Sequence, residues 1–261
     1  MTGQCGYENH IQNPLRLKPT VIVALCLAPA LAHADRRSFS RTYEYQTMPE
    51  GDTEVEIYST WNRTTWADGA VEKHDLQLEL EHGITDRWDV SLYHVFSQAS
   101  GDAMTAVPMH LKEIKLRSRY RFAERGELPV DVLAYGELIR DFGASAYAAE
   151  VKAVLARDFG QVTVATNLVG EVGFGADVAE TEVELAWAIG ASYEASPTWK
   201  LGAESWGDFE PSEVDESLSA YAGPAVSWAP STKLWVTTTG GFGLNDNSDK
   251  FSLRALIGMA L

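Results

Sequence analysis

The chain has 261 residues and a formal charge of −16, with 37 acidic against 21 basic residues. This balance argues against a nucleic-acid partner, because the phosphate backbone is bound through lysine and arginine. Hydrophobic residues make up 45% of the chain, with 8 Trp and 10 Tyr, so a large buried or lipid-facing surface is available. Past the N-terminus, no stretch is long and apolar enough to be a membrane-spanning helix.

The N-terminus has the order of features typical of a secretory signal peptide. A basic edge at Arg16 and Lys18 precedes an apolar run that is too short to span a membrane. Residues 32–34 read Ala-His-Ala, which fits an A-x-A cleavage site. We therefore predict a signal peptide over 1–34, cleaved after Ala34. The stretch before the basic edge is longer than usual, which leaves the true start codon open.

The two cysteines favour export without a disulfide scaffold. Cys5 and Cys26 both lie before the predicted cleavage site, so the exported chain has none. Two alternatives for this region are a lipoprotein acylated at Cys26 and a buried N-terminal helix. Leu25 disfavours the lipoprotein, because a small residue is wanted before the acylated cysteine.

Residues 35–51 form a separate segment before the regular part of the chain. Phe39, Tyr43 and Tyr45 alternate with polar residues, and Pro49 then interrupts the pattern. The segment is predicted to be an extra strand or a stretch that lies in the periplasm or in a barrel lumen.

From residue 52 to residue 261, twelve segments of alternating polarity follow one another, separated by Gly, Asp, Asn, Pro and Ser. Each is close to the ~10 residues that a tilted strand needs to cross a membrane. They run over 53–64, 71–82, 87–98, 109–122, 129–140, 146–157, 161–171, 181–194, 198–207, 217–228, 233–243 and 250–261.

The alternation has the period of two that puts each set of side chains on one face of a strand. In the second segment Leu76, Leu78 and Leu80 share one face, with charged residues and Gln77 on the other. A water-soluble β-sandwich would also alternate, so it remains the alternative fold. Bulky aromatic residues near the segment ends on the apolar face favour a barrel in lipid: Trp61, Trp88, Phe96, Phe122, Trp187, Tyr193, Trp199 and Trp228.

The connections and the strand count agree with this prediction. Shorter and longer connections alternate along the chain, as short periplasmic turns and longer outer loops do, and an even count places both ends on the periplasmic side. We predict an all-β fold, an up-and-down antiparallel barrel of about 12 strands in the outer membrane of a Gram-negative bacterium. Its expected partners are outer-membrane lipid, lipopolysaccharide and the barrel-assembly machinery.

Short phrases of the sequence carry a resemblance to known barrels. The last segment is apolar at every second position, like an outer-membrane assembly signal, although it ends in Leu261 rather than Phe. Three short sequence motifs are similar to motifs in uncharacterised outer-membrane barrels, and they lie at residues 37–39, 49–56 and 83–90. This group includes the family of outer-membrane transport proteins assigned to phenol-degradation pathways. The resemblance implies a barrel and small-molecule uptake, and it carries over no catalytic residue.

The charged face of the strands is the first candidate for function. A lysine or arginine facing lipid at mid-depth costs ~2–4 kcal/mol, so the four cations of the fourth segment are expected to face the lumen. The predicted lumen-lining residues are Lys115, Arg117, Arg119, Arg121, Glu54, Glu56, Asp75, Glu79, Glu81, Glu150, Lys152, Glu182 and Glu184. Glu137, Lys200, Glu204 and Arg254 share the same face.

These charges support two functions. They line a narrow path that binds or passes a small solute, or they pair with one another in a closed barrel with a structural or surface-recognition role. Twelve strands lie between the filled interior of eight and the open channel of sixteen. We predict passive passage or binding of a small polar or aromatic solute, with no cofactor and no metal.

Three histidines offer an alternative, an outer-membrane lipid hydrolase acting on lipid A or phospholipid. His74, His94 and His110 share parity with the apolar face, toward the outer ends of their segments. From the short turn at 83–86, His74 is expected near Val95 and Phe96, and His110 near Ser97. A serine nucleophile needs a base within ~3 Å and a group that orients the base. Because Ser97 has the opposite parity and the triad is incomplete, we predict no enzyme activity. We also predict no metal site, because the three histidines are not expected to converge.

Overall fold

The computed structural model describes residues 36–102, 104–144, 146–175 and 183–261, so the predicted signal peptide and Glu182 lie outside the described residues. Twelve antiparallel strands pair in sequence order, and β1 pairs with β12 to close the barrel. The predicted fold and strand number are confirmed. The strands are β1 Thr53–Arg63, β2 Val71–Thr85, β3 Trp88–Gly101, β4 Val107–Arg121, β5 Asp131–Asp141, β6 Ala146–Phe159, β7 Val162–Phe174, β8 Val183–Ser196, β9 Trp199–Phe209, β10 Ser219–Trp228, β11 Leu234–Gly243 and β12 Phe251–Ala260.

The two rims of the barrel differ in their connections. At the rim where β12 ends, here called the C-terminal rim, three of the five strand connections span two residues, at 86–87, 160–161 and 197–198. The connection at 122–130 is longer than predicted. The connections at the opposite rim, here called the loop rim, are mostly longer. One of them carries the helix α1, Val214–Ser217, and no helix among the described residues is long and apolar enough to cross a membrane.

The outer surface of the barrel is apolar. Side chains such as Leu138, Val151 and Leu168 are each more than half exposed at positions that alternate with lumen-facing residues. Aromatic side chains lie near both rims on this surface. At the C-terminal rim Trp199 and Trp228 stack, with their ring centres 5.8 Å apart. At the loop rim Trp61 contacts Phe251 edge-on, with the ring centres also 5.8 Å apart.

Two corrections concern the register beside the histidines. His74 pairs with Gln98, not with Val95 or Phe96, because the β2–β3 turn lies further along the chain than predicted, at 86–87 instead of 83–86, and Thr85 pairs with Trp88. A bulge in β4, where Val95 pairs with Glu113 and Phe96 with Leu111, adds one residue to that strand. His110 consequently pairs with Ser97 and shares its parity, contrary to the predicted apolar parity.

Residues 36–48 lie inside the barrel rather than in the wall. We call this stretch the lumenal segment. Phe39 and Tyr45 are almost fully buried and pack with inward-facing residues of the strands, including Leu133 and Val154. Its contacts begin near β9 and β10 at the C-terminal rim and end at the β2–β3 turn at the same rim. The segment therefore fills the half of the lumen nearest the C-terminal rim.

A candidate solute site in the barrel lumen

The lumen wall on β2, β3 and β4 carries a buried ion cluster. Arg117 places its two terminal nitrogens 2.9 Å from Glu79 Oε1 and 2.7 Å from Glu81 Oε2. Arg119 donates to Asp89 at 2.8–3.1 Å and also contacts Glu81. All five side chains are at most 3% exposed. The register builds this cluster, because Asp89 pairs directly with Arg119 across the β3–β4 ladder.

Two lysines extend the charged wall toward the loop rim. Lys115 Nζ lies 3.2 Å from Glu113 and 3.2 Å from Glu137, and Lys152 Nζ lies 3.1 Å from Glu150. These pairs are only partly exposed, so each lysine is neutralised within the lumen. Charges of both signs therefore alternate around this wall.

The lumenal segment is held from the opposite wall by Glu204 on β9. Its carboxylate accepts the backbone N–H groups of Ser40, Arg41 and Thr42 at 2.7, 2.9 and 2.7 Å. The hydroxyl groups of Thr42 and Thr239 also donate to it. Glu204 is 3% exposed, and one buried carboxylate thus satisfies three successive backbone donors that no strand pairs.

Further anchors lie on both sides of Glu204. Asn167 on β7 pairs with Tyr43 as a backbone would, accepting its N–H at 2.7 Å and donating to its carbonyl at 2.9 Å. The Tyr45 hydroxyl donates to the carbonyl of Ala123 at 2.5 Å and accepts its N–H at 3.0 Å. Hydrogen bonds from a wall side chain and from the segment's own Tyr45 therefore replace the missing strand partners of the segment.

A chamber remains between the segment and the loop rim, with a volume of about 170 Å³. Its wall is largely polar. The lining residues are Arg37, Ser40, Arg41, Tyr43, Gln77, Tyr93, Lys115, Tyr135, Glu137, Glu150, Lys152 and Arg254. This is the place in the described lumen where several predicted lumen-facing charges converge on open space.

The predicted site residues fall into three groups. Lys115, Glu150 and Lys152 line the chamber. In the second group, Arg121 donates to the Thr47 hydroxyl of the lumenal segment. The other members are buried away from the chamber, and they are Glu54, Glu56, Glu79, Glu81, Arg117 and Arg119. Asp75 pairs with Thr60 and Ser97 in the ladder, and Glu184 is exposed near the loop rim.

Sequence reasoning missed the lumenal segment's own contribution. Arg37 and Arg41 line the chamber, and Asn167 holds the segment from the wall, but none of the three was a candidate. The alternation at Phe39, Tyr43 and Tyr45 was the available signal, since it indicates buried aromatic residues in a stretch without a strand partner.

The histidines do not converge on one another. His74 Nε2 lies 2.8 Å from Ser59 Oγ on the neighbouring strand, and His110 Nδ1 lies 3.0 Å from the Pro108 carbonyl. Among the described residues, no side chain lies within hydrogen-bonding distance of His74 Nδ1, and no group of three or more His, Cys, Asp or Glu residues could hold a metal ion.

Comparisons with known proteins agree with the fold. A model of a family of unknown function, DUF6662, matches residues 144–253. An outer-membrane channel from Pseudomonas putida F1 superposes with a TM-score of 0.65 at 17% identity, over 84% of this chain and 98% of the channel. The NanC porin gives 0.56 at 8% identity over 79% and 100% of the two chains, and the KdgM porin 0.53 at 10% over 80% and 99%.

A search of curated proteins returns no match. The likeness to the solved channel and porins confirms the predicted resemblance to outer-membrane barrels at the level of the fold.

Proposed function

We propose that the protein resides in the bacterial outer membrane and binds and passes a small solute through a narrow lumen lined by charges of both signs. The observation that carries this proposal is the polar chamber of about 170 Å³, which lies inside a barrel with an apolar outer surface. The similar channel and porins have the same barrel form, which supports the proposal.

The distribution of side chains supports the membrane location. An exposed apolar band between aromatic rims suits hydrocarbon and headgroup layers, whereas water would disfavour so large an apolar surface. The short connections then face the periplasm and the loop rim faces outward. The proposed location would require export behind the signal peptide and insertion by the barrel-assembly machinery, and both stay predictions from the sequence.

The lumenal segment sets the size of the solute. It fills the half of the lumen nearest the C-terminal rim, so a wide aqueous channel is closed in this conformation. Its anchors are side-chain contacts with Glu204, Asn167 and Asp89, not a continuous ladder of strand pairing. A segment held in this way can shift while the wall stays intact, which suits slow, selective passage.

The proposal is tested by single-channel recording of the full-length protein, purified in detergent and inserted into planar bilayers. We expect small discrete conductance steps. In the double variant Lys115→Gln/Lys152→Gln, cation selectivity should rise, because two positive charges leave the chamber wall. Lys112→Gln is the matched control, since this lysine lies at the bulge of β4 and does not line the chamber. A silent bilayer from a folded barrel would contradict passage and favour a closed structural or surface-recognition barrel.

A second candidate, lipid hydrolysis, rests on the hydrogen bond between Ser59 and His74 on the outer surface. A serine within reach of a histidine is the core of a nucleophilic pair. Among the described residues no group orients His74, which makes this the weaker candidate. We expect no release of fatty acid from phospholipid or lipid A vesicles. Release that disappears in Ser59→Ala would instead establish the hydrolase.

A further inference from the structure

Three arginine side chains meet at the chamber without a direct ion pair. Arg37 and Arg41 come from the lumenal segment, and Arg254 comes from β12. Among the described residues, no carboxylate oxygen lies within 4.0 Å of a nitrogen of these three guanidinium groups. Every other cation of the chamber wall has such a carboxylate partner, since Lys115 and Lys152 are each paired with glutamate.

The neutral contacts of these arginines leave hydrogen-bond donors free. Arg37 Nη1 donates to the Tyr58 hydroxyl at 3.1 Å, and Arg41 Nη2 donates to Ser252 Oγ at 2.7 Å. Arg254 lies over the Tyr58 ring, 5.0 Å from its centre. The Nε atoms of all three arginines are buried and, among the described groups, have no hydrogen-bond partner.

Two of the nearby carboxylates are already engaged. Glu204 accepts the backbone N–H groups of the segment, and Glu56 contacts the Tyr58 hydroxyl. A buried charge without a bonded partner is costly, because burial removes its hydration. The cluster therefore offers a strong electrostatic gain to an anion that enters the chamber.

We propose that this chamber binds a small organic carboxylate that carries further oxygen groups. The carboxylate would meet the guanidinium groups of Arg41 and Arg254, for which planar two-point contacts are favourable. Ser40 Oγ is buried without a partner in the described lumen, and Gln77 also lines the space, so hydroxyl groups on the ligand would find hydrogen bonds. This inference rests on the proposed function and names its solute class.

Isothermal titration calorimetry of the full-length protein in detergent tests the site with a matched pair of probes. Glucuronate carries a carboxylate where glucose carries a neutral group, on the same ring. We expect saturable binding of glucuronate and none of glucose. In Arg41→Gln and in Arg254→Gln, affinity should fall about ten- to a hundredfold, as loss of hydrogen bonds to a charged group implies.

Arg140→Gln is the matched control. Its guanidinium donates to the Ala146 carbonyl at 2.9 Å near the loop rim and does not line the chamber, so affinity should stay unchanged. Arg254→Gln leaves the segment's own sequence intact, which separates loss of the site from loosening of the segment. Circular dichroism, and the difference in gel mobility between heated and unheated samples, verify that each variant is folded.

The outcomes separate this inference from the proposed passage. Glucuronate binding that both arginine variants weaken, with a silent bilayer, would support the anion site and overturn passage. Conductance steps together with equal binding of glucuronate and glucose, or with no binding, would overturn the anion site and leave passage standing. Glucuronate affinity that is unchanged in both Arg41→Gln and Arg254→Gln would also overturn the site.

Discussion

Replacing Glu204 with glutamine should release the lumenal segment while leaving the barrel wall intact. The carboxylate lies on β9, faces the lumen and accepts three consecutive backbone N–H groups, from Ser40 to Thr42. Glutamine has nearly the same shape, but one of its two terminal atoms is an NH₂ group that donates. A donor would then face the backbone donors of the segment.

The expected loss follows from the contacts of each oxygen. Oε1 accepts from the N–H of Ser40 and the hydroxyl of Thr239, and Oε2 accepts from the N–H of Arg41 and both donors of Thr42. Whichever oxygen is replaced, at least two hydrogen bonds to a charged acceptor disappear. At about 1.5–3 kcal/mol each, the loss in anchoring is about 3–6 kcal/mol before relaxation. The lower figure corresponds to a more than hundredfold rise in the released population.

Two measurements detect release of the lumenal segment. Single-channel recording of Glu204→Gln should show larger or more frequent open events than the unmodified protein. Trypsin should cleave after Arg37 or Arg41, which is detected by mass spectrometry. In the parent protein the buried residues Arg37, Ser38 and Thr42 keep these bonds from the protease. Asp208→Asn is the control, because this carboxylate on the same strand accepts from the Ser219 hydroxyl at 2.7 Å instead. Unchanged conductance and unchanged trypsin resistance in a folded Glu204→Gln barrel would refute the anchoring role.

Two further predictions concern the buried contacts of the lumen. Arg117→Met should lower the free energy of unfolding in urea by about 3–5 kcal/mol, because it removes the ionic partner of the buried Glu79 and one of the two arginine contacts of Glu81. A loss no larger than that of the control Arg140→Met would contradict this. Gly190→Val should displace Phe39 and raise conductance, because an added Cβ would lie 2.7 Å from the Phe39 ring. At Gly173 an added Cβ would meet nothing within 4 Å, so Gly173→Val should leave conductance unchanged. Equal conductance of the two valine variants would contradict the prediction.

The odd or even position of a residue along a strand predicts which face it lies on, because the barrel wall has an apolar outer surface and a charged lumenal surface. Leu76, Leu78 and Leu80 alternate with charged and polar residues in the middle of β2, and a period of two has only one arrangement on a pleated sheet. The turn between β2 and β3 was harder to place, and a small error there moved the predicted partner of His74 to the wrong residue. Register errors of this kind do not alter the strand count, which depends on the repeated pattern and not on any single turn.

The bulge in β4 shows where local pattern fails. One extra residue between Glu113 and Leu111 reverses the parity of the strand beyond it, so His110 shares the parity of Ser97. Sequence alone does not mark this position, since neither Gly nor Pro stands there. The strand pairing on both sides is needed to locate it.

The amino-acid sequence by itself determined the twelve strands and their apolar and charged faces, since alternation is a local property that lipid and water select. Only the tertiary structure decided what the lumen contains. The course of the lumenal segment depends on Glu204 and Asn167, which lie more than 120 positions away in the sequence. Barrel closure brings these residues to the segment, and the same closure gathers Arg37, Arg41 and Arg254 around one chamber. Such convergence arises from distant contacts, and no local pattern of residues encodes it.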